Sequence, residues 1–141
     1  MLEKNITSDF QFVDSYIRNS SFKIHNRNLG NNKLNLAIEV KFSEIKENKD
    51  ELSAELRLKN FVEVNDDTGN PLIEIEVEMA GIFKAHNMDK DEFIKCMKFN
   101  GTPIIYQSIR SYIMSMSALS GVETIRIPLI NYVEFFKDEQ N

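Results

Sequence analysis

The chain has 141 residues, a formal net charge of −5 and one cysteine, with 42% hydrophobic and 28% charged residues. These values fit a single globular domain over 1–141 and weigh against nucleic acid, because an acidic surface repels phosphate backbones. Cys96 has no internal disulfide partner, as suits a reducing cytoplasm, and the opening Met1-Leu2-Glu3-Lys4-Asn5 lacks the apolar stretch of a secretory signal. No apolar run approaches the roughly 18 residues of a membrane span. Trp is absent, but ten Phe and six Met supply adaptable apolar surface.

The first element is an irregular extended segment through Phe10, Phe12, Tyr16, Phe22 and Ile24. It is closed by the turn-forming run His25 to Asn32. Leu34, Leu36, Ile38, Val40 and Phe42 then alternate with polar residues, the period of a half-buried strand. Glu44 to Asp50 are read as a polar break. The next strand places Leu52, Ala54, Leu56, Leu58, Val62 and Val64 on one parity, with Ser53, Glu55, Arg57, Lys59 and Glu63 on the other. After the turn Asn65 to Pro71, Ile73, Ile75, Val77 and Met79 alternate with Glu74, Glu76 and Glu78, which predicts a long antiparallel hairpin.

The period then lengthens. Asp89 or Asp91 can cap a short helix through Phe93, Ile94 and Met97. Thr102-Pro103 reads as the start of a longer helix and Gly121 as its stop. Ile105, Ile109, Tyr112, Ile113, Met116 and Leu119 form its expected buried stripe. The apolar tail Ile125 to Phe136 is interrupted by Pro128. The predicted fold class is α+β: a four-stranded antiparallel sheet followed by C-terminal helices packed on one face.

Arg110 is the only charged residue between Thr102 and Val122. A helix so poor in charge expects cover on most sides, and the chain is too short to cover both. Ser108, Ser111, Ser115 and Ala118, spaced three, four and three, form a small-residue seam suited to another helix. Self-association through this seam is the expectation, and solvated serines are the alternative.

Catalytic signals are weak. His25 and His86 are far apart and have no further ligands at metal spacing. Cys96, between Ile94 and Met97, reads as a buried thiol rather than a nucleophile. Gly81 has no phosphate-loop spacing around it. Glu74, Glu76 and Glu78 form a row on the wet face, either keeping the protein soluble or docking a basic partner. No nucleophile, base and oxyanion hole assemble, so no enzyme, cofactor or metal is expected.

The element order resembles the SecB family of export chaperones. The residues that carry the resemblance are Phe22, Glu76-Val77, Gly81-Ile82-Phe83, Cys96, Pro103, Ile105, Arg110, Ile113 and Met116, and then Ile127-Pro128-Leu129-Ile130-Asn131-Tyr132 with Phe135 or Phe136. It implies a cytoplasmic, ATP-independent holdase for unfolded or precursor proteins, assembled as a tetramer (a dimer of dimers) through the long helix. By position it makes Ile73 and Tyr132 residues of the client groove, and the local pattern adds Leu29, Phe61 and Phe135. It also implies docking of the SecA motor on an acidic face. Here Glu76 matches that face, whereas Asn19 and Lys23 stand where acidic residues are typical. The crossover loop is short and lacks the usual Trp, Tyr106-Gln107-Ser108 replaces an aromatic-Pro-aromatic run, and five residues follow Phe136. Some SecB-like proteins serve a single partner, such as the antitoxin of a toxin–antitoxin system, and that is the alternative reading.

Overall fold

A computed structural model describes residues 7–137; the chain start Met1–Asn5 and the end of the polar tail lie outside the described residues. Five strands form, β1 (Phe10–Ile24), β2 (Lys33–Phe42), β3 (Lys46–Asn48), β4 (Glu51–Asn65) and β5 (Pro71–His86), and three helices follow, α1 (Lys90–Cys96), α2 (Thr102–Leu119) and α3 (Tyr132–Phe135). The sheet is antiparallel in the order β1-β5-β4-β2, with β3 also pairing β4. The α+β architecture expected from the sequence is present, with one strand more than the alternation announces.

That strand lies inside the expected polar break. β2 pairs β4 from Lys33↔Asn65 to Phe42↔Leu56, and β3 resumes the same edge at Lys46↔Ser53. Between them the Ser43 hydroxyl accepts from the Glu55 backbone N–H at 2.8 Å and Ser43 N–H donates to the Glu55 carbonyl at 2.9 Å. The edge therefore bends at residues 43–45 without letting go of β4.

The β4–β5 hairpin is closed by side-chain chemistry. One Asp66 carboxylate oxygen accepts from Thr68 N–H, Thr68 hydroxyl and Asn70 N–H at 2.8–2.9 Å, and Gly69 takes φ +86°. This is the local bonding that makes Asp, Asn and Gly the residues of tight turns. β1 is irregular because its pairing with β5 shifts register between Phe12 and Asp14 and again between Ile17 and Asn19.

Strand parity divides the sheet. The even residues of β4 from Leu52 to Val64 are buried, as are Ile73, Ile75, Val77 and Met79 of β5. They meet Ile105, Ile109 and Ile113 of α2 in one core. Asn60 occupies the middle of the buried row, opposite Ile38 and Val77, with neither its amide nitrogen nor its oxygen hydrogen-bonded.

The helical part differs from its expected punctuation. Asp89 caps α1, accepting from Glu92 N–H at 2.8 Å. Thr102 opens α2 with Pro103 in its first turn, as expected, but the helix runs on from α1 instead of starting from a loop. A π-turn at Met97–Gly101 joins α1 to α2, Gly101 has helical φ −70° and ψ −49°, and the Thr102 hydroxyl donates to the Met97 carbonyl five residues back. A proline inside a helix removes one backbone donor, and a wide turn just before it absorbs that loss.

α2 also rotates away from its expected stripe. Its buried residues are Thr102, Ile105, Tyr106, Ile109, Ile113 and Ser117, whereas Leu119 is 82% exposed. Leu119 lies two residues beyond Ser117, which at 3.6 residues per turn is the far side of the helix. Ser117 enters the core because its hydroxyl donates to Met114 O and accepts from Ile125 N–H. The close approach of helix and sheet occurs at Gly81, where any Cβ would overlap the Ile105 side chain. Gly121 ends the helix with φ +80° as expected.

Candidate functional site

The residues expected to share one groove fall in three places. Ile73 is fully buried in the core, opposite Ile24 and Val64, and underlies the fold rather than lining a surface. Phe61 sits on the odd parity of β4, so it points to the outer sheet face, away from α2, where it is 40% exposed with Lys59 Nζ 5.6 Å from its ring centroid. Leu29 is half-buried in a small depression with Leu34, Val64 and Ile125. Tyr132 and Phe135, both half-buried, remain together on α3. The five do not converge, because strand parity sends Ile73 and Phe61 to opposite faces.

Around Tyr132 and Phe135 the structure gathers other apolar residues. Phe136 is fully buried and serves as the hub, 6.3 Å from Phe42, 5.7 Å from Phe99 and 5.0 Å from Phe135 between ring centroids. Lys98 Nζ stands 5.7 Å from its ring centroid. From Phe42 the apolar surface continues into an open cleft of about 200 Å³ lined by Phe42, Ser43, Ile45, Ala54, Ile94 and Met97. The cleft therefore lies between the bend of the β2–β3 edge and α1. At the other end Tyr132 meets Tyr106 edge-on at 6.4 Å. Ile45, Ile94 and Met97 were not singled out as groove residues from the sequence. Ile45 is embedded in a run that reads as polar, and Ile94, on the short helix expected through Phe93 and Met97, is 40% exposed.

The outer face carries the other candidates. Glu74, Glu76 and Glu78 project from alternate positions of β5 as expected, but they are not an open row. Glu74 meets His25 at 2.8 Å, Glu76 meets Lys59 at 3.8 Å and Glu78 meets Arg18 at 3.6 Å, and all three are half-buried. Nearby, the Tyr16 hydroxyl donates to Glu55 at 2.6 Å and, with Arg57, holds that carboxyl below its usual range. Between Phe61, Glu74 and Glu76 the face has a depression of about 410 Å³ that also reaches Ser21, Lys23 and Ala37.

On α2, Ser111, Ser115 and Ala118 are exposed and Ser108 is half-exposed, so the seam faces outward and is flanked by exposed Ile104 and Leu119. His86 pairs Glu51 at 3.5 Å, and no group of three or more metal-ligating side chains exists among the described residues. Cys96 is half-buried, and burial pushes its thiol pKa up, with Glu92 adding to the rise, so the thiolate is disfavoured. No helix among the described residues is long and apolar enough to cross a membrane.

The sequence profile of the family described as preprotein translocase subunit SecB matches residues 3–141. The chain belongs to the SecB family. Among solved structures it is similar to the SecB-like chaperone of Mycobacterium tuberculosis in complex with a ChAD peptide from the HigA1 antitoxin. The TM-score is 0.71 at 14% identity, covering 87% of this chain and 91% of that one. A protein of unknown function from Streptococcus agalactiae gives a TM-score of 0.52 at 9% identity, covering 87% and 99%. No curated protein matches the sequence. At these identities the likeness shows the shared fold: an antiparallel sheet with its helices on one face.

Proposed function

We propose that this SecB-family protein is an ATP-independent holding chaperone of the cytoplasm. On this reading it binds extended, unfolded segments along the apolar path from the Ile45–Ile94–Met97 cleft past Phe42 to Phe135 and Tyr132, with the buried Phe136 supporting the path from beneath. The observation that carries the reading is the cleft itself, an open concavity lined almost wholly by apolar side chains and continuous with an aromatic cluster. Such a surface holds unfolded chain by burying apolar area at about 25 cal/mol per Å². It makes few directional bonds and so tolerates many sequences. Several such paths in one assembly would add through multivalency.

Multiplicity would come from a homo-oligomer, with the tetramer of the family as the expected form. The outward seam Ser108, Ser111, Ser115 and Ala118 lets a second helix approach closely, and cover there would also shield Ile104 and Leu119 from water. Binding of an unfolded test polypeptide, and its loss on Ile94→Glu, tests the groove.

A second reading is a chaperone dedicated to one partner. It is favoured by similarity to a fold solved with an antitoxin peptide bound, and by an acidic row whose three carboxylates are already engaged. A partner docking on this row, as SecA is expected to, would have to displace those internal pairs. Binding to SecA that is lost on Glu76→Lys would favour export. Tight binding of one partner without protection of generic unfolded proteins would favour the dedicated role.

A further inference from the structure

The return from α2 to α3, residues 122–131, has no hydrogen-bonded ladder of its own, although Val122, Ile125 and Ile127 are buried beneath it. Backbone groups in such a position need partners from elsewhere; besides the Ser117 carbonyl, which accepts from Val122 N–H at 3.3 Å, three α2 side chains supply them. The Ser117 hydroxyl accepts from Ile125 N–H at 3.0 Å, Arg110 Nε donates to the Ile127 carbonyl at 3.0 Å, and the Tyr106 hydroxyl donates to the Pro128 carbonyl at 2.5 Å. Positions 117, 110 and 106 descend the helix while 125, 127 and 128 ascend the return, so the segment is stapled antiparallel along α2.

Arg110 is central to this staple. It is the only charge on α2, and its Nη1 also donates to Gln107 Oε1 at 2.8 Å, which orients the guanidinium. Arg110 also lies close enough to lower the pKa of both Tyr106 and Tyr132, opposing the burial that pushes each up to about 12. One guanidinium is thus bonded to the return backbone and lies within electrostatic reach of the α2 and α3 tyrosines. Downstream, α3 is held by the Asn131 cap on Glu134 N–H at 3.1 Å and by the Phe136 ring in its buried socket.

We propose that Arg110 is a positioning residue that clamps the 122–131 return to α2 and so holds Tyr132 and Phe135 in place as one wall of the client path. The inference rests on the groove reading above, and it gives the family-matching arginine a task other than solubility or subunit contact. The clamp works through a directional donor, so it depends on Arg110's hydrogen bonding and not on its apolar stem.

The test uses the full chain as wild type and as Arg110→Met, Arg110→Lys and Tyr106→Phe. Two readouts are taken: hydrogen–deuterium exchange by mass spectrometry, and anisotropy of a fluorophore-labelled, reduced and carboxymethylated polypeptide as the unfolded client. In Arg110→Met, amides of 123–136 are expected to exchange about tenfold faster, the scale of one lost charged hydrogen bond. Protection in β4 and β5 stays unchanged, and the probe binds at least about fivefold more weakly. Arg110→Lys, which keeps a donor, restores most of both signals. Tyr106→Phe, which loses only the Pro128 bond, gives a smaller change in the same peptides. Unchanged protection of 123–136 in Arg110→Met overturns the proposal. So does lost protection with unchanged probe affinity, or equal effects of Met and Lys. A wild-type protein that does not bind the probe sinks the groove reading instead, a result separable from the exchange data.

Discussion

Replacing Asn60 by leucine should make this protein more stable. Asn60 lies fully buried in the central strand between Ile38 and Val77, and both its amide atoms lack partners. Leaving a buried polar group unsatisfied costs about 1–3 kcal/mol. Leucine has nearly the same branched outline as asparagine, so the change removes that penalty without opening a cavity. A net gain of about 2 kcal/mol is expected once imperfect fit is allowed for. With an unfolding entropy near 2.1 cal/mol/K per residue, a chain of this length shifts its midpoint by about 3 °C per kcal/mol, giving a rise of about 6 °C. The assay is thermal and urea unfolding, each followed by circular dichroism at one fixed protomer concentration, because assembly makes apparent stability concentration-dependent. The midpoint should rise with an unchanged slope. Asn60→Val serves as a second fit to the same site. Midpoints at or below wild type for both variants would refute the reasoning, since they would mean that the amide is satisfied in solution.

Gly81→Ala should destabilise by about 1–3 kcal/mol, because its Cβ would overlap Ile105 and force α2 off β5; the urea midpoint measures it, and Ile105→Val should relieve part of the loss. Ser111→Arg should lower the native mass seen in light scattering, since a buried unpaired charge at a helix seam is costly; unchanged mass would place the interface elsewhere. Stability should also fall as pH rises from about 10 to about 12 and then level off. Tyr106 and Tyr132 keep their protons up to about 12 in the folded state but lose them near 10 when unfolded, so the protonated folded form is favoured below pH 10 and that advantage is lost through pH 12. Tyr132→Phe should flatten this decline in pH-dependent urea midpoints.

The strands were legible because one buried face imposes period two, and the residues of β2, β4 and β5 keep it almost without exception. The hidden strand β3 was not, because Lys46, Glu47 and Asn48 make only backbone pairs with β4, and no side chain announces them. At Thr102-Pro103 a proline that normally opens a helix instead follows a π-turn, and the two situations read alike in one dimension. Ser117, and not the expected Leu119, is buried at the end of α2 because a hydroxyl that finds two backbone partners can be buried more cheaply than its type suggests. The candidate site was legible in part, if the proposed path is the client path. Tyr132 and Phe135 lie on the apolar path, but Ile73 had the parity of the core, and Phe61 interrupts an otherwise polar outer row. The cleft residues Ile45 and Ile94 come together only because the edge bends at Ser43, a tertiary event without a local signature.

The central claim is that the cleft between the β2–β3 bend and α1 holds unfolded chain. The most direct test is suppression of aggregation of a chemically denatured protein on dilution, comparing wild type with Ile94→Glu. Ile94 is 40% exposed, so the fold should tolerate the charge. The account predicts that wild type keeps the diluted protein soluble at near-stoichiometric ratios and that Ile94→Glu, folded and of unchanged native mass, does not. Equal suppression by both proteins, or none by the wild type, would contradict it.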